Sequence, residues 1–345
     1  MQQDRPLKIL IASPLEPEQA ERIAAAAPGR VEVIFAPDLL PVPRYVADHH
    51  GQPRALGATQ RARWLAHLRE ADILFDFDWL APERLLEHAP RLRWVQGTSA
   101  GIGELLRRTG LIDSHLLFTT AAGVHGAPLA EFVLLGLLYF YRDVPRLQRM
   151  QRAHRWERYT NRELAGRRAL VVGLGAVGRA IAERLATQGL EIWGARRAPG
   201  RPPQGVSRVL PMADLGSVLG LIDALILACP LTPETEGLIG AAELAALPEG
   251  ALLVNVARGP VVDEPALVEA LRNGRLGGAA LDVAAVEPLP GDSPLWDLPN
   301  VLISPHSAST VEAENGRIVD IFLANLQRYL DGKPLINRFD RTRGY

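Results

Sequence analysis

Apolar residues in this chain fall into two alternating patterns. Short runs rich in Val, Ile, Leu and Ala occur at 7–13 (LKILIAS), 31–37 (VEVIFAP), 71–77 (ADILFDF), 92–98 (LRWVQGT) and 118–123 (FTTAAG). Between them lie stretches of helical spacing, such as PEQAERIAAAA and the pattern through Trp64, Leu65 and Leu68. Strand-length apolar runs bounded by polar residues read as buried parallel strands, and their alternation with helices predicts a parallel sheet covered on both faces. A looser stretch containing Pro, His and Gly interrupts this rhythm at 41–60, where the adjacent His49 and His50 read as loop surface.

A long helix is predicted over 128–154, with Pro145 kinking it or ending its first part. Its early portion is apolar around most of its circumference, as in a helix buried between elements, domains or subunits. A second α/β series follows, with strands read at 168–173, 190–195, 224–229, 251–257, 277–283 and 301–305. Six strands separated by helical segments match a doubly wound dinucleotide-binding sheet. The closing EAENGRIVDIFLANLQRYLDGKPLIN reads as a helix ended near Gly332 with an extended tail. A return of this tail to the first unit makes that unit discontinuous.

The glycine spacing sharpens the second unit. Gly173-Leu-Gly175-Ala176-Val177-Gly178 follows an apolar strand and opens a helix. That context lets the glycines turn tightly while the helix N-terminus offers free N–H groups to a pyrophosphate. The next strand ordinarily brings an acidic residue to the ribose hydroxyls. Here it ends in Gly194-Ala195-Arg196-Arg197, and no Asp or Glu stands between Ile192 and Arg208. Two guanidiniums there suit the extra phosphate of NADP; the alternative is that they face solvent.

Three later runs end in chemistry. ALLVNVARG (251–259) reaches Arg258, GGAALDVAAVEP (277–288) reaches Glu287, and VLISPHSAS (301–309) reaches His306. Polar groups at the carboxyl ends of parallel strands stand where open α/β sheets bind ligands. A guanidinium, a carboxylate and an imidazole together hold a carboxylate substrate and move one proton. Taken singly, each has a plainer structural reading. His125 and the Thr98-Ser99 pair are further candidates, and Trp156 and Trp296 either line a pocket or pack.

With 345 residues, two domains are the natural expectation. A formal net charge of −1 gives no electrostatic reason for a nucleic-acid or anionic-membrane partner. The clusters Arg61/Arg63, Arg107/Arg108 and Arg152/Arg155 read as solvated helix faces. The longest apolar run, Phe132–Tyr141, is too short to span a bilayer. The opening MQQDRPLKILIAS reads as a strand rather than a leader, so a cytoplasmic location is expected. Cys229 is the single cysteine, which excludes an intrachain disulfide and a thiolate metal site; no His/Cys/Asp spacing suggests a metal.

In order along the chain, the glycine turn, PLTPET (230–235), NVARGPVVDEPAL (255–267), GGAALDVAAVEPLP (277–290) and SPHSAS (304–309) resemble the D-isomer-specific 2-hydroxyacid dehydrogenases. The resemblance is specific over 166–310 and weaker over the first ninety residues. The ARR segment and the closing NRFDRTRGY look most like the glyoxylate/hydroxypyruvate reductase branch. It implies two doubly wound parallel-sheet domains. A Rossmann NAD(P)-binding domain (121–305) would be inserted in a discontinuous flavodoxin-like substrate domain (1–120 and 306–345), with the active site in the cleft. It also implies NADP or NAD as cofactor, a small 2-oxo or 2-hydroxy acid as substrate, and a homodimer. By the same resemblance Arg258, Glu287 and His306 match the catalytic Arg, Glu and His, and Asp282 the nicotinamide-side carboxylate. Pro230, Thr235, Val256, Ala257 and Ala308 fall at cofactor positions, and Ala100 and Gly101 at the backbone holding the substrate carboxylate. Many members carry Asp where this chain has Gly103. Corepressors sharing the fold leave a nucleotide-sensing role as the alternative; formate-oxidising relatives carry Gln where this chain has Glu287. An added C-terminal regulatory domain, as in many phosphoglycerate dehydrogenases, is not expected.

Overall fold

The computed structural model describes residues 5–198 and 200–344; Met1–Asp4 of the opening segment, Pro199 and the closing Tyr345 lie outside the described residues. The chain divides into two compact units, one running to Val124 and resuming at Thr310, the other His125–Ser309. Both boundaries fall four residues later than the expected 120/121 and 305/306. The second shift puts His306 in the inserted unit, because its N–H bonds to Asp282 O (2.8 Å) and the following Ala308 N–H bonds to the Asp282 carboxylate.

In the first unit, β1 (Leu7–Ile11), β2 (Val31–Ile34), β3 (Ile73–Phe75), β4 (Trp94–Gln96) and β5 (Leu117–Thr119) form a parallel sheet in the order β2-β1-β3-β4-β5, the flavodoxin-like arrangement. Alternate residues feed opposite faces. Leu10, Leu74 and Val95 pack with Trp64 and Leu68 on one side. Ile9, Ile11, Phe75 and Trp94 pack on the other with Phe322 of the returning helix Glu314–Leu330. Trp94 stacks on Phe322 and on Tyr329 at centroid separations of 5.2 and 5.4 Å. The tail then docks through Phe339 N–H on Phe118 O and through the Arg341 guanidinium on the carbonyls of Ile112, Ser114 and Leu116. His49 is enclosed rather than surface: its side chain lies 3.4 Å from the Glu314 carboxylate.

Among the described residues the second unit carries seven parallel strands rather than the expected six: β6 (Arg168–Val172), β7 (Glu191–Arg196), β8 (Arg208–Pro211), β9 (Ala224–Leu227), β10 (Ala251–Asn255), β11 (Leu276–Leu281) and β12 (Val301–Ile303). Their order is β12-β11-β10-β9-β6-β7-β8, doubly wound about β6 and β9. The unread β8 is a short edge strand containing Pro211 and paired only to β7; one buried residue, Leu210, is too little to show as a run. Strands β9 and β10 are buried along their length, and β6 from Ala169 onward, consistent with cover on both faces.

The predicted long helix is two, Gly126–Tyr141 and Val144–Arg152. Asp143, at φ +50°, turns the chain and caps the second helix through Arg146 N–H, and Pro145 occupies that helix's first turn, where its missing N–H costs nothing. Gly136 lets the first helix lie on the sheet, since a Cβ there would stand 2.6 Å from Ala280 Cβ. Among the described residues no helix is long and apolar enough to cross a membrane.

Candidate active site

The glycine turn joins β6 to the helix Ala176–Ala186, and its three glycines answer to different constraints. Gly173 sits at φ +96°, and a Cβ there would lie 2.7 Å from the backbone of Cys229. At Gly178 a Cβ would stand 1.8 Å from Gly173 O, so this glycine lets the helix close onto the turn. Gly175 meets nothing within 4 Å. Its bareness keeps open the space before the free amides of Ala176 and Val177, a fit for a dinucleotide's pyrophosphate. Gly194 on β7 makes room for Leu174, whose Cδ1 would lie 2.4 Å from an added Cβ.

Arg196 ends β7 with its guanidinium folded along the next loop: Nη2 donates to Arg201 O (3.4 Å), and a Cβ on Gly200 would lie 2.6 Å from it. Its Nε is buried with no protein partner among the described residues. Arg197 is exposed. The Glu234 carboxyl is held below its ordinary range, chiefly by a hydrogen bond from Thr232, with the Arg197 charge adding to the effect. Thr235 fixes the PLTPET turn by donating to Pro230 O (2.7 Å) and accepting from Thr232 N–H (2.8 Å).

The carboxyl ends of β10, β11 and β12 bring Arg258, Glu287 and His306 into one neighbourhood. His306 Nδ1 lies 2.7 Å from Glu287 Oε2, and Ala284 N–H donates to Glu287 Oε1 (3.2 Å). The Arg258 charge acts on both His306 and Glu287. Asn255, absent from the expected site, shapes the approach to Arg258: its Nδ2 donates to Arg258 O (3.1 Å) and its Oδ1 accepts from Ala257 N–H (3.0 Å). Val256 and Ala257 are buried beside it. Asp282, 3% exposed, ties the His306 loop through one oxygen, which accepts from Ser304 Oγ (2.6 Å), Ser307 N–H (2.9 Å) and Ala308 N–H (2.9 Å). This knot holds His306 at φ +54°, a conformation rare for a residue with a Cβ.

Electrostatics in the group are coherent. The hydrogen bond to Glu287 raises the His306 pKa, burial opposes it, and the Glu287 charge adds to the rise. For Glu287 burial pushes upward, but the hydrogen bond and charge of His306, the Ala284 N–H and Arg258 bring the net below the ordinary value. Both shifts run toward an imidazolium–carboxylate pair. Burial pushes Asp282 upward against its hydrogen bonds.

Ala100 and Gly101 lie in the first unit, after β4. Ser99 Oγ accepts the Gly101 N–H (3.1 Å), and Thr98 Oγ1 donates to Asp76 (3.0 Å), so this loop is internally braced. Gly103 has a local reason: a Cβ there would stand 2.3 Å from Gly344 O of the docked tail. Trp156 is 98% exposed, and half-exposed Trp296 donates to Pro290 O. Cys229 is buried and its thiol is pushed up to about 11 by burial, the opposite of a reactive thiolate. Among the described residues no group of His, Cys, Asp or Glu could hold a metal ion.

A parallel sheet with an open glycine turn, and beside it a paired imidazole and carboxylate with a guanidinium, define an NAD(P)-dependent oxidoreductase. Comparison narrows the class. Residues 134–308 match the NAD binding domain of the D-isomer specific 2-hydroxyacid dehydrogenases. A glyoxylate/hydroxypyruvate reductase A of Salmonella newport is 30% identical over 277 residues, covering 77% of this chain and 86% of that protein. A family structure from Xanthobacter autotrophicus Py2, in complex with NADPH and MES, is 33% identical with a TM-score of 0.78 over 99% of this chain and 100% of that one. The NADPH-dependent glyoxylate/hydroxypyruvate reductase of Sinorhizobium meliloti, in complex with NADP and sulfate, is 28% identical with a TM-score of 0.77 over 98% and 100%. The chain belongs to the D-isomer specific 2-hydroxyacid dehydrogenase family.

Proposed function

We propose that this enzyme reduces the C2 carbonyl of a small 2-oxo acid of the glyoxylate/hydroxypyruvate kind to the D-2-hydroxy acid, with NADPH preferred, and works as a cytoplasmic homodimer. The observation that carries the reading is the His306–Glu287 pair at 2.7 Å within the field of Arg258. The bound nicotinamide supplies the hydride to C2. Arg258 offers a planar fork to the substrate carboxylate and polarises the C2 oxygen. His306 uses Nδ1 on Glu287, which leaves Nε2 to give the oxygen its proton; Glu287 fixes the ring and favours its charged form. In the oxidation direction the neutral imidazole takes that proton back. Ala100 and Gly101 are assigned to the substrate carboxylate, which must displace Ser99 Oγ if it uses the Gly101 N–H.

Gly173, Gly175, Ala176, Val177 and Gly178 would hold the pyrophosphate, with Pro230, Thr235, Val256, Ala257, Asp282 and Ala308 along the cofactor. NADPH preference rests on Arg196 and Arg197 at the end of β7, where an Asp would repel a 2′-phosphate. The NADPH and NADP of the Xanthobacter and Sinorhizobium structures support it. The reductase names of the Salmonella and Sinorhizobium proteins support the substrate class. The homodimer rests on exposed Leu135, Leu138 and Leu147 and on Trp156, an apolar series along the two helices and the strand-free stretch after them.

The test is a panel of glyoxylate, hydroxypyruvate, pyruvate and bulkier 2-oxo acids with each reduced cofactor, with product chirality determined. One charged contact, about 1.5–3 kcal/mol, corresponds to roughly 10- to 150-fold in affinity, and kcat/KM should favour NADPH within that range. Arg196→Asp should shrink or reverse the ratio. Equal use of NADH by the wild type, or an unchanged ratio in the variant, overturns the NADPH assignment; failure to reduce any 2-oxo acid overturns the reaction.

A further inference from the structure

Beyond β11 the chain reaches Glu287 through two consecutive amides that serve two different carboxylates. Ala284 N–H donates to Glu287 Oε1 (3.2 Å), and Ala285 N–H donates to Glu264 Oε2 (2.9 Å). Glu264 opens the helix Glu264–Arg272, just past the loop that carries Arg258. That helix does not need Glu264 as its cap, because Asp263 already accepts the Ala266 N–H (3.0 Å). The Glu264 side chain instead reaches a turn far away in sequence. The same two segments touch again at Gly259, where a Cβ would lie 1.9 Å from Ala284 O and 2.5 Å from Ala285 N.

From this double attachment we propose that Glu264 is a positioning residue: its carboxylate holds the 284–287 turn through the Ala285 N–H and keeps Glu287 aimed at His306. The inference rests on the roles proposed above for Glu287 and His306. Glu287, Arg258 and Asp282 act on the His306 imidazole, and His306 and Arg258 act on Glu287. Glu264 acts on the pair through the backbone it holds. Losing that hold frees the turn, and Glu287 then spends part of its time away from Nδ1.

Two variants separate this role from simple support of a helix end. Glu264→Gln removes the charge but keeps an oxygen that accepts the Ala285 N–H. Glu264→Ser removes the same charge and is too short to reach. The His306 ring is titrated by NMR in the resting protein, alongside the pH profile of kcat for 2-oxo acid reduction. Glu264→Gln should titrate like wild type and retain its turnover. Glu264→Ser should titrate at lower pH and lose roughly 10- to 100-fold in kcat, the scale of an ångström's misplacement. A His306 titration unmoved in Glu264→Ser, or a Glu264→Gln variant as impaired as Glu264→Ser, overturns the proposal. If Glu264→Ser does not fold, Glu264→Asp, one methylene short with its charge kept, is read in the same way. The ring titration needs no turnover, so a protein inactive on every 2-oxo acid refutes the proposed reaction while leaving this measurement readable.

Discussion

Replacing Asp282 with alanine should cost more stability than any change at the exposed members of the site. Its carboxylate is 3% exposed, and one oxygen accepts from Ser304 Oγ, Ser307 N–H and Ala308 N–H at 2.6–2.9 Å. The Ser304 hydroxyl can turn to water, whereas the two partly buried amides are fixed by the backbone. Stranding a buried donor costs about 1–3 kcal/mol, so two of them set an expected loss of about 2–4 kcal/mol. In a unit of this size that lowers the midpoint of thermal unfolding by roughly 5–15 °C. Asp282→Asn keeps an acceptor of the same shape and should lose less than about 1 kcal/mol.

Melts of the cofactor-free protein across pH test both statements. Burial raises the Asp282 pKa in the folded protein, so its contribution to stability is full below the unfolded value and declines as pH rises through the folded one. The advantage of wild type over Asp282→Asn should therefore be largest in acid and narrow as pH climbs from about 4. An Asp282→Ala protein melting within about 2 °C of wild type, less than one kcal/mol at this size, would refute the knot.

Three further outcomes rest on the geometry of the site. Reduction needs the protonated imidazole, so its rate should fall as pH rises through the raised His306 pKa, and Glu287→Gln should move that break to lower pH by removing the hydrogen bond and charge that raise it; an unmoved profile would leave Glu287 a structural residue. Gly178→Ala should destabilise the apo protein by about 1–3 kcal/mol, since its Cβ must displace Gly173 O from 1.8 Å. Gly175→Ala, with nothing within 4 Å, should melt like wild type yet bind NADPH at least about tenfold more weakly, near the scale of one lost hydrogen bond; normal binding would show that the cofactor does not approach there.

Local order fixed much of this protein at the level of sequence. Apolar runs with abrupt polar ends reveal buried parallel strands and the groups at their carboxyl edge, because burial on both faces admits no interior polar residue. Arg258, Glu287 and His306 stand out for that reason, and the glycine turn through its spacing between a strand and a helix. What sequence could not carry is a meeting of distant segments whose residues form no pattern of their own. The edge strand Arg208–Pro211 has one buried side chain and exists through pairing with Glu191–Arg196. Glu264 looks like an ordinary helix start until its hydrogen-bond partner Ala285 is in view. Gly103 reads as a departure from its relatives until Gly344 is found where a Cβ would go. His49, read as surface, is enclosed beside Glu314 from the far end of the chain. In each case the deciding fact is a tertiary contact, and a buried polar group or a missing side chain has no signature of its own along one chain.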